Sequence, residues 1–155
     1  MAEEPMENLA LFKLTEEETA EVIKQAGGGT VIWTRRDGHP TGAYVQTVVV
    51  DGQVYTTSTD DRGKNKAWRR DPRTTWVFDV PGKGGVTAIG QVKFEEDPAL
   101  KMRVFNAMAD AVNLKGETRD RFIGHINTRG REVMRLIPEK YVTLHTGKVG
   151  VAMAS

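Results

Sequence analysis

Cysteine is absent from the chain, which removes disulfide staples, thiolate metal sites and cysteine nucleophiles from consideration. Histidine is scarce. His39, His125 and His145 are scattered without metal-ligand spacing, so no metal site is expected, and each reads better as a turn, surface or structural residue than as a catalyst. No apolar run approaches the ~20 residues that cross a bilayer, and the opening MAEEPMENLA is acidic where a secretory leader is basic and then apolar. The expectation is a cytoplasmic protein without membrane contact. Net charge is nearly lacking too: 22 basic against 21 acidic residues leave +1, which argues against a general nucleic-acid binder.

What is present is the composition of an ordinary globular chain, 39% hydrophobic and 28% charged over 155 residues. That length predicts one domain over 1–155, with 1–12 and 148–155 expected to be flexible at its ends. Thr15-Glu-Glu-Glu predicts a capped helix that Gly27-Gly28-Gly29 ends. Thr30–Thr34 reads as a strand, Arg35-Arg36-Asp37-Gly38 as a hairpin turn, and Thr41–Val50 as one longer strand. After the Asp51-Gly52 turn a third strand begins. Thr74–Val80 and Val86–Phe94 pair across a glycine-rich turn, with Gly90 expected at a bulge or a close approach. Ala99–Val112 carries Leu100, Val104, Phe105, Met108 and Val112 at helical spacing, which points to core. The polar stretch 113–130 reads as a loop with a short helix around 119–125. Two closing strands, 132–138 and 140–146, are separated by Pro138, and 150–155 has no pattern. The sum is a mainly β, α+β chain: a six-stranded antiparallel barrel with peripheral helices.

One stretch carries chemistry. In QVYTTSTDDRGKNKAWRRDPRTT, from Gln53 to Thr75, a strand rich in β-branched residues gives way to a polar loop and then to KNKAWRR, a helix stopped at Asp71-Pro72. From Arg62 to Arg73, six cations, Arg62, Lys64, Lys66, Arg69, Arg70 and Arg73, face Asp71 alone. Hydroxyls, free backbone N–H groups and ammonium charges that converge at a helix start make a phosphate clamp. Taken alone, the same residues read slightly better as a solvated basic helix after a hairpin. Trp33, Trp68 and Trp76 read mostly as core, with one of them a candidate border of a ligand pocket.

These residues in this order resemble the pyridoxamine 5'-phosphate oxidase-like, FMN-binding split-barrel superfamily, and especially its flavin/deazaflavin oxidoreductase branch. The resemblance rests on Asp37-Gly38-His39-Pro40, on Asp51 to Ser58, and on Lys64-Asn65-Lys66-Ala67-Trp68-Arg69-Arg70-Asp71-Pro72-Arg73, and it covers roughly 29–144. It implies a split β-barrel in which Lys64 is the main phosphate ligand and Lys66 stands where the family often has arginine. It further implies that Thr56, Thr57 and Ser58 face the ring and phosphate, and that Ala43 and Tyr44 line the ring. Ala67 and the longer loop 59–63 depart from the pattern, which leaves a part for Arg62 open. The implied activity is hydride transfer between bound cofactor and a small conjugated or heteroaromatic substrate, with the cofactor doing the redox work and no catalytic side chain assigned. Coenzyme F420 is favoured over FMN, because Lys66, Arg69, Arg70 and Arg73 would form a basic groove for its anionic tail. A homodimer with cofactor sites at its interface is also implied. The competing class is a non-catalytic cofactor carrier or a haem- or tetrapyrrole-binding protein.

Overall fold

The computed structural model describes residues 9–154; residues 1–8 and 155 lie outside the described residues. After a 3-10 turn (Leu9–Phe12), α1 (Glu16–Ala26) starts from a capping box: the Thr15 hydroxyl accepts from the Glu18 N–H at 3.1 Å, and the Glu18 carboxylate accepts from the Thr15 N–H at 2.9 Å. Of the three glycines that follow, only Gly27 ends the helix, in the left-handed region. Gly28 and Gly29 already belong to β1 (Gly28–Thr34).

The strands β1, β2 (Pro40–Gln46), β3 (Val48–Val50), β4 (Gln53–Thr59), β5 (Arg73–Val80), β6 (Gly84–Glu95) and β7 (Arg131–Leu144) form one antiparallel sheet in the order β2-β1-β5-β6-β7-β4-β3. This makes seven strands where six were expected. The extra strand comes from the span expected as one strand over 41–50. Thr47 breaks it by donating its N–H to the Gly27 carbonyl at 3.2 Å, which places β2 and β3 at opposite edges of the sheet. Because the two edges are covalent neighbours, the sheet must curl until they meet. The Thr56 hydroxyl, which donates to the Gln46 carbonyl at 2.8 Å, marks that meeting.

Two further expectations change. The closing segment is one strand running through Pro138, which sits opposite Gly90 beside a register shift between Ile89 and Gly90. Proline is tolerated there because β4 pairs β7 only as far as Arg135, so the other edge of β7 has no ladder bond to lose. The stretch 113–130 holds a full helix, α4 (Gly116–Ile126), and 146–154 forms α5 (Thr146–Ala154).

The curl creates two cores. Inside it lie Val31, Trp76, Phe78, Val86, Met134 and Leu136, together with Trp68 from α2 (Gly63–Arg70). Outside, α3 (Pro98–Ala111) and α4 cover Val48, Tyr55 and Val133 with Val104, Phe105, Met108 and Ile126. Each large apolar side chain so buried contributes roughly 1.5–3 kcal/mol. Trp68 is 1% exposed and packs edge-on to Trp33 and tilted to Trp76, both with ring centroids 6.2 Å away. That anchor fixes α2 as a plug in one end of the curled sheet.

Candidate functional site

Anchored by Trp68, α2 points its N-terminus at the end of β4. Its first turn carries no acidic residue and its N-cap, Arg62, makes no side-chain cap hydrogen bond, so the first N–H groups of the helix have no side-chain acceptor from the cap. Above Gly63 the space is open: a Cβ built there meets nothing within 4 Å. Lys64 donates to the Ser58 hydroxyl at 2.8 Å and is half-buried. Burial first, then the charges of Arg62 and Arg131, push its ammonium below the ordinary lysine value. Burial and Arg62 likewise lower Arg131. None of the ion pairs among the described residues involves Arg62, Lys64 or Arg131. The nearby carboxylate of Asp61 accepts from the Thr59 hydroxyl, which is the main reason its pKa falls; Arg62 and Lys66 add to it.

Three cations around an uncapped helix start, two of them partly buried, form a candidate site for an anion. Arg131 was not legible as a member of it. It arrives because Thr59↔Arg131 is the last pair of the β4–β7 ladder, and its guanidinium is oriented by donation to the Ile126 carbonyl at 3.0 Å. The turn feeding it requires glycine at 130: φ is +86°, and a Cβ there would lie 2.8 Å from an Asp60 carboxylate oxygen.

The remaining expected residues divide. Ser58 joins Lys64, while the Thr56 and Thr57 hydroxyls donate to the carbonyls of Gln46 (2.8 Å) and Glu132 (2.7 Å), so their protons are committed to backbone. Lys66 is exposed and lines a separate groove of about 620 Å³ with Arg36, Arg69, Arg70, Asp60 and Glu132. Within the basic run, Arg69 pairs with Glu132 and stacks 3.8 Å over the Phe94 ring, and Arg73 is held by Asp71 at 2.7 Å. The same hydrogen bonds from Arg73 bring Asp71 down to about 2. Arg36, Lys66 and Arg70 are therefore the groove cations without a carboxylate partner among the described residues; Arg70 donates to the Thr34 carbonyl at 3.2 Å. Ala43 and Tyr44 lie exposed on β2, and as neighbours on a strand they face opposite sides of the sheet. Tyr44 lies across Gly28, where a Cβ would come within 2.3 Å of its hydroxyl. Neither residue lines the groove of Lys66 or the cavity beside Arg131.

Asn65, wholly buried behind Lys64, donates to Glu132 at 3.1 Å and ties the helix start to β7. His145 is occupied structurally, 3.1 Å from Glu18 through Nε2 and accepting from the Lys148 N–H through Nδ1. No group of three or more His, Asp or Glu side chains suited to a metal occurs among the described residues.

No protein-family model and no curated protein matches the chain. Solved structures do match. A conserved protein of Mycobacterium tuberculosis, Rv2991, superposes with a TM-score of 0.79 at 20% identity, over 90% of this chain and 89% of that one. A candidate pyridoxamine 5'-phosphate oxidase from Listeria innocua gives 0.67 at 21% identity, over 83% and 97%. The chain has the pyridoxamine 5'-phosphate oxidase-like split-barrel fold. Split barrels serve more than one purpose among its neighbours: an F420 reductase matches with a TM-score of 0.62 at 15% identity over 83% and 98%, and a haem binding protein from Mycobacterium smegmatis with 0.63 at 18% identity over 92% and 61%. At these identities the likeness extends to the fold.

Proposed function

We propose that this split barrel is an oxidoreductase that holds a flavin-type cofactor by its phosphate at the start of α2, with coenzyme F420 favoured and FMN the alternative. The observation that carries the reading is the convergence of Arg62, Lys64 and Arg131 on an uncapped helix N-terminus with open space over Gly63. A phosphate there accepts from free backbone N–H groups, from Lys64 and from Arg131, and relieves the mutual repulsion of the cations. Ser58 keeps the Lys64 ammonium aimed at it. The neighbouring groove supports the deazaflavin over FMN, since Arg36, Lys66 and Arg70 suit a further anionic tail.

When bound, the tricyclic ring supplies hydride chemistry toward a small conjugated or heteroaromatic substrate. The chain's own task is to fix the phosphate, orient the ring and exclude water. Ala43 and Tyr44 reach such a ring only if it extends out over β2 or if they belong to a second copy, and we assign them to a homodimer with sites at its interface. Ile89 and Ile137, 38% and 40% exposed on neighbouring strands beside the bulge, are apolar surface that a second copy would cover.

Titration of the purified protein with F420 and with FMN, followed by ring fluorescence, tests the reading, with light scattering for the oligomer. F420 is expected to bind more tightly, and the difference to shrink when Arg36, Lys66 and Arg70 are replaced together by glutamine. Binding of neither compound, combined with stoichiometric haem uptake, would replace this assignment with the tetrapyrrole-binding one. Tight F420 binding without turnover of any enone, quinone or nitroheteroaromatic would make the protein a carrier.

A further inference from the structure

A second cavity lies away from the cations of the α2 site. It opens at the other end of β4: Val54 at its wall and Ser58 at the anion site are four residues apart, about 13 Å along a strand. Its origin is a divergence of strands. β4 pairs β7 only over Arg131–Arg135, whereas β7 continues along β6 as far as Leu144. Beyond Arg135 the free edge of β7 and the β3–β4 hairpin part, and α1 lies across the gap without filling it. The result is an open cavity of about 640 Å³, the size of a small-molecule site.

The cavity is apolar within and basic at its rim. Ile23, Val49, Val54 and Leu14 supply walls, and Ala20 a small, exposed floor on α1. The Thr19 and Thr143 hydroxyls are already used, one donating to the Thr15 carbonyl at 2.8 Å and the other accepting from the Leu14 N–H at 3.1 Å. Tyr141, whose hydroxyl burial pushes up in pKa, stands at the free edge of β7. Two lysines, Lys13 and Lys140, face one carboxylate, Glu16, around the opening. A ligand matching this layout is long, apolar and singly anionic at one end.

We infer that the gap between the β3–β4 hairpin and distal β7 is a second binding site, for an amphipathic monocarboxylate of medium chain length. The apolar tail lies against Ile23, Val49 and Val54, and the carboxylate meets Lys13, Lys140 and the Tyr141 hydroxyl. The site is independent of the phosphate at α2, because the two share no residue and lie at opposite ends of β4.

Decanoate, decanol and decyltrimethylammonium serve as probes of the full chain, with methyl NMR shifts of Ile23, Val49 and Val54 as the localised readout. Decanoate is expected to move those methyls and to bind more tightly than decanol, with the ammonium compound weakest. Reversing both rim charges (Lys13→Glu with Lys140→Glu) is expected to weaken decanoate about tenfold while leaving decanol unchanged. Ala20→Trp, on an exposed helix position, fills the cavity and is expected to abolish the methyl shifts with the fold intact. Equal affinity for all three probes, insensitivity to the charge reversal, or retained binding in Ala20→Trp would overturn the assignment. Inorganic pyrophosphate at saturation, directed to the α2 site, is expected to leave the decanoate titration unaltered; competition between them would overturn the claim of a separate site.

Discussion

Replacing Lys64 with alanine separates a functional cation from a structural one, because the two roles predict different responses of stability and affinity. In the unliganded protein Lys64 gives one hydrogen bond to Ser58 at 2.8 Å and suffers burial and the repulsion of Arg62 and Arg131. Losing the hydrogen bond costs about 1 kcal/mol. Relief of the repulsion and of the ammonium's desolvation offsets part of that, so Lys64→Ala is expected to change unliganded stability by less than about 1 kcal/mol. Cofactor affinity responds differently. A charge-assisted contact to phosphate is lost, which costs about 1–3 kcal/mol, or roughly 5- to 150-fold in Kd. Urea unfolding without ligand gives the first quantity, and fluorescence titration with F420 and FMN gives the second. Ligand protection links them: at a concentration 100 times the wild-type Kd, wild type gains about 2.7 kcal/mol and the variant correspondingly less. Lys66→Ala, at an exposed position, is the control and is expected to weaken F420 more than FMN. Affinity unchanged in Lys64→Ala, or a loss of unliganded stability as large as the loss of binding, would refute the phosphate assignment.

Other perturbations follow from the same geometry. Because Lys64 titrates below its ordinary value, phosphate affinity is expected to fall as pH rises toward 10.5, the ordinary lysine value, beginning lower than an exposed lysine would allow; Lys64→Arg is expected to flatten that profile in fluorescence titrations. The sign also holds for stability: a depressed lysine pKa costs stability while the group is charged, and the cost disappears at alkaline pH, so phosphate should protect most near neutrality. Gly130→Ala combines a positive φ with contact against Asp60 and is expected to destabilise by about 1–3 kcal/mol in urea unfolding and to weaken binding through displaced Arg131. Asn65→Asp places a second carboxylate beside Glu132 in a wholly buried position and is expected to cost about 3–5 kcal/mol, whereas an unchanged melting profile would deny Asn65 its bridging role.

The parts of this fold that the sequence disclosed are those written locally. The Thr15–Glu18 capping box, the Asp51-Gly52 turn and the Asp71-Pro72 stop each lie within a few residues of what they control. Features that failed were decided by distant partners. Thr47 breaks a strand because of Gly27, and Pro138 fails to break one because β4 has already ended. The candidate site divides in the same way. Lys64 and Ser58 were legible because a strand, a loop and a helix start are contiguous. Arg131 was not, for its membership depends on one ladder pair with Thr59 across the sheet. The only local trace is the Gly130-Arg131 pair, in which a glycine forced by Asp60 sets the following side chain.

The same ladder explains why one sheet offers two unlike sites. Where β4 and β7 pair, from Tyr55↔Arg135 to Thr59↔Arg131, the strand ends bring hydroxyl, ammonium and guanidinium groups against the start of α2. Where they no longer pair, the sheet opens beside valines and an isoleucine, and the charges retreat to the rim. A lengthened β4–β7 ladder would therefore close the apolar site without touching the anionic one. Continuing that register would set Gly52, whose φ is +75°, opposite Pro138, which has no N–H to give, so neither residue favours a ladder longer than Gln53 opposite Ile137.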